Sequence, residues 1–470
     1  MKKVATNVIF RLLYQILTLA MPIITIPIVS NVLGPEGIGE YKYLYSILSY
    51  FLLFASLGLG IYGNRTIATH RENRQTLSRI FWEIELSSVV TSLIALSAFL
   101  IFGLLIHQNS YYYILSIFLI ANLFEISWFY AGIEAFGMIT IVNMIVKIFL
   151  VGAIITLIHQ PSDLIWYFVI QSIQGLLSNL SLWLFIKKYV DFVPVKLSMI
   201  FQHLKGSAAF FTAQIAGTLY GAIPVNLLGF FTSFTIVGYF ANAGSVIGIA
   251  SATITAIDFV LLPKMSATFS NKGKSHLVLN IQKTIHIQLF LLVGLFYCLL
   301  SIYADTIPWF FGKNFIFINH FMPILIPIVL IQPLGVAILN QYLIPLNYTK
   351  IYNFSIISGM FFSICANLIL IPILGIWGAV IVWPLSEVIV TSIRVCYLLK
   401  TSSFKFNLKL IIKLLLIGAV AWLTVYLLTL NFAASFQTTC IQGFLFITIY
   451  FILTLIFKVN LIWNLLFKRA

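Results

Sequence analysis

The chain has 470 residues, of which 61% are hydrophobic and only 8% charged, and its mean hydropathy is +1.06. No water-soluble domain of this length could hide so much apolar surface, so the composition excludes a soluble enzyme and specifies a membrane protein. The formal net charge of +15 raises the question of a nucleic-acid partner, which its distribution along the chain answers.

Apolar runs of about 20 residues are long enough to span a bilayer as helices, and fourteen are predicted. They lie at about 8–32, 41–64, 80–106, 111–133, 137–158, 164–186, 207–230, 235–262, 284–304, 319–343, 351–371, 376–398, 409–430 and 439–457. The first is expected to serve as the insertion signal, since no short apolar segment with a cleavage site precedes it. With the N-terminus in the cytoplasm, twenty-four of the 27 Lys and Arg residues fall on the inner side. Lys42 and Lys313 fall outside, and Lys147 lies within a span. That asymmetry predicts a multi-pass protein with both termini cytoplasmic. The basic excess then reflects topology and contact with anionic membrane lipids, with no nucleic acid required. The loops are short; the longest, 187–206 and 263–283, could not fold as catalytic domains. Cys298, Cys365, Cys396 and Cys440 lack paired spacing, so neither a disulfide framework nor a metal site is expected. The seven histidines fall in loops or near span ends, which argues against a histidine proton relay at mid-membrane.

A short internal repeat organises these spans. NVLGPEGIGEY (Asn31 to Tyr41) reads as a tight turn between the first two helices, because Gly and Pro interrupt a helix. Asn31 to Gly34 is matched by Asn226 to Gly229, and Gly39-x-Tyr41 loosely by Gly238-Tyr239. Six spans separate the two copies, so both turns face outward and the halves form a parallel repeat. The expected organisation is all-α, with a six-helix lobe at 1–190, a second at 200–400 and an added helix pair at 405–470. Transporters commonly place their substrate path at such a repeat interface.

Lys147 sits about 16 Å from either end of its span at 1.5 Å per residue, too deep for its stem to reach water. A lysine at the bilayer centre costs on the order of 2.5–3.5 kcal/mol, so it should face a partner or a hydrated cavity. Asn143 and Thr140 share its helical face. An ion pair with Glu125 in the preceding span is the structural alternative. Further stripes run through Arg11, Gln15, Thr18, Pro22 and Thr25, through Asn122 and Glu125, and through Gln171, Gln174, Ser178 and Ser181. One such stripe is ordinary interhelical hydrogen bonding. Together they suggest a cationic cavity lined by Lys147, Asn143, Arg11, Gln15, Arg65 and Glu125, suited to an anionic, hydroxyl-rich substrate. Most aromatics are expected to face lipid or the interfaces, a few to stack on sugar rings. GLGIYG (Gly58 to Gly63) matches a dinucleotide fingerprint but lies in a span, where close helix packing explains it better. Glu36 and Glu40 could hint at a membrane glycosyltransferase, yet no large outer loop accompanies them.

These segments resemble the Wzx-type polysaccharide flippases of the multidrug/oligosaccharidyl-lipid/polysaccharide exporter superfamily. NVLGPEGIGEY is similar to that family's first-hairpin signature. The stretch from Trp128 to Ile148 resembles a second segment, landing on Trp128, Gly132, Glu134 and Lys147. NLILIPILGIWGA resembles a third, through Asn367, Pro372, Gly375 and Gly378. The resemblance implies a bacterial inner-membrane transporter that moves undecaprenyl-pyrophosphate-linked oligosaccharide units to the outer leaflet for capsule, O-antigen or related polymers. It implies no catalysis and no cofactor, with Glu125, Asp258 and Glu387 as candidate sites for coupling to H+ or Na+. A monomer working beside a polymerase and glycosyltransferases is the expected setting. The rival readings are a peptidoglycan-precursor flippase, a multidrug or cation antiporter and, less favoured, a membrane polymerase or glycosyltransferase.

Overall fold

The computed structural model describes the backbone of residues 2–195, 197–461 and 463; side chains are described from residue 21 onward, apart from residues 136, 197, 198, 209, 212 and 213. The described residues form helices and loops with no strand. The helices are α1 (Lys2–Ser56), α2 (Leu59–His70), α3 (Arg74–Leu105), α4 (Ser110–Ile114), α5 (Ser116–Asn122), α6 (Ser127–Gly132), α7 (Phe136–Leu157) and α8 (Leu164–Trp183). There follow α9 (Leu197–Phe231), α10 (Phe234–Phe310), α11 (Met322–Leu325), α12 (Ile328–Ile338), α13 (Thr349–Leu374), α14 (Ile376–Thr401), α15 (Leu408–Thr429) and α16 (Phe436–Ile456). A π-helical turn, Leu339–Leu343, extends α12. This is a multi-pass membrane protein: twelve helical segments among the described residues are long and apolar enough to cross a bilayer.

Two of those segments, Met21–His70 and Phe234–Phe310, run for 50 and 77 residues, well beyond the roughly 20 a crossing requires. Each contains a glycine with almost the same non-helical backbone: Gly34 at φ 66°, ψ −178° and Gly273 at φ 78°, ψ −179°. Only glycine occupies that region without strain. The turn expected across NVLGPEGIGEY is thus far tighter than the sequence suggests. Its non-helical geometry is confined to Gly34, and the helix resumes at Pro35, where a missing N–H costs nothing. Nothing lies within 4 Å of a side chain built on Gly34, so conformation and not crowding requires glycine there.

The matching motif at Asn226 does a different job. Helix α9 runs through Gly229 to Phe231, and the break falls at Thr232–Ser233, where the Ser233 side chain caps α10. Gly229 has no room: a Cβ there would stand 2.1 Å from the Tyr43 ring. Asn226 accepts from Ser46 Oγ at 2.7 Å and donates to Tyr50 Oη at 2.6 Å. Asn31, by contrast, donates to the Pro27 carbonyl one turn back at 2.8 Å. Gly238 is buried early in α10.

By its contacts the chain divides into Met1–Gly229 and Phe230–Ala470. In the first unit, α9 is fastened along α1–α3. Gly58 at φ 75° breaks the chain between α1 and α2, and a Cβ on it would meet the Ser207 carbonyl oxygen at 2.6 Å. GLGIYG therefore opens at a helix break instead of lying inside one helix. Gly63 gives way to the Trp128 indole, and Gly132 to Ile67, the close helix packing expected of the motif. Nearby, Tyr62 Oη, His203 Nδ1, His203 Nε2, Glu83 and Arg79 form a chain of contacts at 3.0, 3.0 and 3.3 Å. The buried core beside it is strongly aromatic, with Phe81, Trp128, Phe129 and Tyr130 packed against Trp82 and Trp183. Part of the aromatic content thus faces neither lipid nor the interfaces.

Ion pairs and hydrogen bonds tie the loops of this unit. Arg71 pairs with Glu134 at 2.7 Å, and Glu134 adopts a left-handed φ of 60°. Arg74 makes two bonds to the Asp191 carboxylate, at 2.8 and 2.7 Å. Asn109 donates to Glu40 at 2.7 Å.

In the second unit, α13 and α14 form a tight helical hairpin. Gly375, at φ 58°, ends one and opens the other. A Cβ on Gly378 would lie 2.6 Å from the Leu370 backbone, so the helices touch main chain to main chain. Asn367 is buried and donates to Ser363, one turn before Pro372. The 405–470 region packs α15 and α16 on α10 through Phe290, Tyr297 and Tyr450.

Candidate functional site

A cavity of about 520 Å³ opens in the first unit. Tyr41, Lys42 and Tyr45 of α1 form one wall, Asn143 and Lys147 of α7 a second, and Gln171, Gln174 and Ser178 of α8 a third; Phe118 of α5 closes it. The helical period explains the set, since residues three and four apart share a face. A smaller space of about 240 Å³ adjoins it, lined by Met21, Pro22 and Thr25 of α1 with Leu150 and Ile154 of α7. Lys147, Gln171 and Gln174 line both spaces, so the Lys147 side chain stands where they meet. Lys147 lies eleven residues into the 22-residue α7.

The larger cavity joins two ammonium groups to a wall of amides, hydroxyls and aromatic rings. Tyr41 meets Tyr45 in a stacked arrangement at 5.8 Å and Tyr167 edge-on at 4.7 Å; Tyr45 meets Phe118 at 5.5 Å. Tyr167 is hydrogen-bonded to Gln171. Among the described residues, no aspartate or glutamate lines either space. Such a wall can hold an anion at the lysines and offer amide and hydroxyl partners to a hydroxyl-rich neighbour.

Of the cavity residues expected from the sequence, the structure brings together Lys147 and Asn143. Arg11 and Gln15 lie outside the described side chains. Arg65 is exposed on α2 and Glu125 is partly buried; neither lines these spaces. Glu125 is not in a continuous mid-span helix, because α5 ends at Asn122 and α6 begins at Ser127. Its carboxylate accepts from Ser127 Oγ. The sequence reading missed Lys42, which it placed on the outer surface, and the aromatic residues Tyr45, Phe118 and Tyr167. Tyr41 and Tyr45 at i and i+4, next to a lysine, were the available signal.

The other candidate ion residues are in the second unit. Asp258 is fully buried and its Oδ1 accepts from Gln288 and Gln341, each at 2.7 Å. Gln341 sits in the π-helical turn and takes a bond from Thr284. Glu387 accepts from Gln332 at 3.2 Å and lies in the field of Arg394, whose guanidinium donates to Ser355 and to the Gly335 carbonyl.

Known proteins agree with this architecture. The polysaccharide biosynthesis protein family matches residues 4–269. A protein of Escherichia coli (strain K12) named for O-antigen transport is 23% identical over 268 residues, 56% of this chain. The match spans 65% of that relative, slightly under two thirds of its length. In fold, the chain is similar to the lipid II flippase MurJ in an inward closed conformation, with a TM-score of 0.78 and 16% identity, covering 97% of this chain and all of the other. It is also similar to the MATE multidrug transporter DinF-BH, with a TM-score of 0.56 and 18% identity over 85% of this chain and 95% of the other. The match to residues 4–269 takes in more than half of the chain, including every helix that lines the cavity, and the chain belongs to the polysaccharide biosynthesis protein family.

Proposed function

We propose that the protein is a flippase that carries undecaprenyl-pyrophosphate-linked oligosaccharide repeat units from the cytoplasmic to the outer leaflet. The observation that carries this reading is the meeting of Lys42 and Lys147 in one cavity with the amide and tyrosine wall. The lysines suit a pyrophosphate, the wall suits sugar hydroxyls and ring faces, and the lipid tail can remain in the bilayer. Family membership and the O-antigen name of the E. coli relative support the substrate class. With the interior negative, outward passage of each negative charge is favoured by about 2.3 kcal/mol per 100 mV. A polar cavity lowers the remaining barrier, which is the passage of a hydrated head group through hydrocarbon.

On this reading the helices broken at Gly34 and Gly273 each cross twice, which gives fourteen crossings with both termini in the cytoplasm of a bacterium. The parallel lobes at 1–190 and 200–400, with the helix pair at 405–470, remain the working arrangement. The protein acts without chemistry or a cofactor, as a monomer, between the glycosyltransferases that build the unit and the polymerase that consumes it. A cation-selective drug antiporter is disfavoured, because two lysines and no carboxylate line the cavity among the described residues. Deletion tests the proposal: surface polysaccharide should be lost while lipid-linked units accumulate on the inner leaflet. Normal polymer yield with heightened drug sensitivity would favour efflux instead.

A further inference from the structure

The two spaces that meet at Lys147 differ in character, and α7 and α8 each record the difference along their own length. On α7 the order is Asn143 in the larger space, Lys147 in both, then Leu150, Val151 and Ile154 in the smaller. On α8 it is Ser178 in the larger space, Gln174 and Gln171 in both, then Ile170 in the smaller. The two helices pack together, and the order rises in number along one and falls along the other. A single gradient from polar to apolar therefore crosses the site along an antiparallel pair. Thr25 of α1 also lines the smaller space, but its hydroxyl proton is given to the Met21 carbonyl at 3.0 Å.

The apolar end gives on to the bilayer. Leu150 and Ile154 are buried, whereas Val151 lines the smaller space and is partly exposed. Val151 shares a helical face with Ile148 and Ile155, three and four residues away, and both are exposed.

These walls select the occupant. A phosphate or sugar hydroxyl placed among Leu150, Ile154 and Ile170 would lack partners, at a cost. Hydrocarbon arriving from the bilayer gains little there, because lipid tails are as apolar as leucine. The space therefore suits hydrocarbon that is covalently tied to a group held next door. In a lipid-linked oligosaccharide the pyrophosphate is that junction, with glycan on one side and isoprenoid on the other. Lys147 stands at the matching junction of the two spaces. The size agrees as well. A cavity of about 150 Å³ holds a benzene ring, and this one, at about 240 Å³, has room for an isoprene unit and the start of the next.

We propose that the smaller space seats the first isoprene unit of the carrier lipid. The pyrophosphate then lies at Lys147, the glycan runs past Asn143 and Ser178, and the rest of the chain leaves beside Val151. This orientation rests on the flippase reading above and adds to it a subsite for the lipid next to the pyrophosphate.

The test uses the full chain in lipid nanodiscs and farnesyl pyrophosphate that carries a photoreactive diazirine on its first isoprene unit. Mass spectrometry should place the adducts on α7 from Leu150 to Ile154 or on α1 beside Met21. Adducts confined to other helices would overturn the proposal. Excess unlabelled farnesyl pyrophosphate should suppress the labelling, and phosphatidylglycerol should not; equal suppression by both would make the space a berth for ordinary lipid and overturn the proposal. In proteoliposomes Leu150→Trp, which fills the space, should lower transport of undecaprenyl-linked units about 10-fold, and Leu150→Met, of similar volume, should keep most of it. If Leu150→Trp fails to insert, the labelling of the parent protein decides alone. A Leu150→Trp loss that vanishes when the first sugar lacks an acetamido or deoxy methyl group would assign the space to the glycan instead. Labelling as expected, without transport of lipid-linked units by the parent, would count against the proposed function and leave the isoprene seat standing.

Discussion

Lys42 and Lys147 line one cavity from two helices that are far apart in the chain. Both side chains front the same space, where one anion could meet the two ammonium groups. Their contributions to binding should therefore be coupled. A hydrogen bond to a charged group contributes about 1.5–3 kcal/mol, so Lys147→Ala and Lys42→Ala should each lower transport by about 10- to 100-fold at normal protein levels. Lys147→Arg should retain part of the activity, since the charge persists while the compact ammonium is lost. Transport assays on the single and double variants check this; strictly additive losses would mean that the lysines bind separate groups.

The tyrosine wall makes a separable prediction. Tyr45→Ala removes a ring that meets both Tyr41 and Phe118 and leaves both lysines in place. It should weaken transport of units with longer glycans more than that of a minimal lipid pyrophosphate sugar. Equal loss for both substrates would remove the wall from sugar recognition.

Gly34 and Gly229 occupy the same place in the sequence repeat but should fail for different reasons. Gly34→Ala puts a side chain into a backbone region reserved for glycine, at a cost of about 1–3 kcal/mol, and no neighbouring substitution should restore it. Gly229→Ala collides with Tyr43 and should cost about 1–3 kcal/mol through overpacking. Tyr43→Ala should relieve much of that penalty. Thermal unfolding of the purified variants in detergent separates the two cases.

The loop contacts make topology testable. Reporter fusions after residues 72 and 195 should both read cytoplasmic, because Arg74 and Asp191 are bonded to each other and cannot lie on opposite sides. Fusions near 109, 160 and 434 should read external, and one after 270 cytoplasmic. The Arg74 guanidinium holds the Asp191 carboxyl below the usual carboxylate range. A depressed carboxyl stabilises the fold above its unfolded value, and the effect is lost as pH falls through the folded one. Asp191→Asn should therefore match the parent protein in acid and fall slightly behind it at neutral pH.

Much of this arrangement was legible in the residues. Lys147 announced itself because an ammonium eleven residues into a span cannot reach water, and the α8 stripe followed from helical spacing. Lys42 did not, because a lysine at the predicted end of a span reads as interfacial until the fold turns it inward. The break at Leu123 to Ile126 was also hidden. ANLFEIS (Ala121 to Ser127) contains no glycine or proline, and the carbonyls there are held by Asn179, Trp183 and Trp128 from outside the break or just after it. Glu83 and Glu85 stand two residues apart in the sequence, and only packing separates their environments. The Asn226 motif matched in letters but not in role, since Gly229 provides clearance where Gly34 provides a bend.

The fastening of α9 has a consequence for dissecting the molecule. His203, Gly206, Ser207, Asn226 and Gly229 all engage residues between Tyr43 and Glu83. A gene cut at 190–195, just before α9, would deprive the amino-terminal fragment of the helix that shields Glu83 and the tyrosines, leaving polar and aromatic groups bare to lipid. A cut at Thr232–Ser233 would keep α9 with the helices it covers. Co-expressed halves should reassemble from that second seam, and fragments divided at the first should be cleared by membrane proteases.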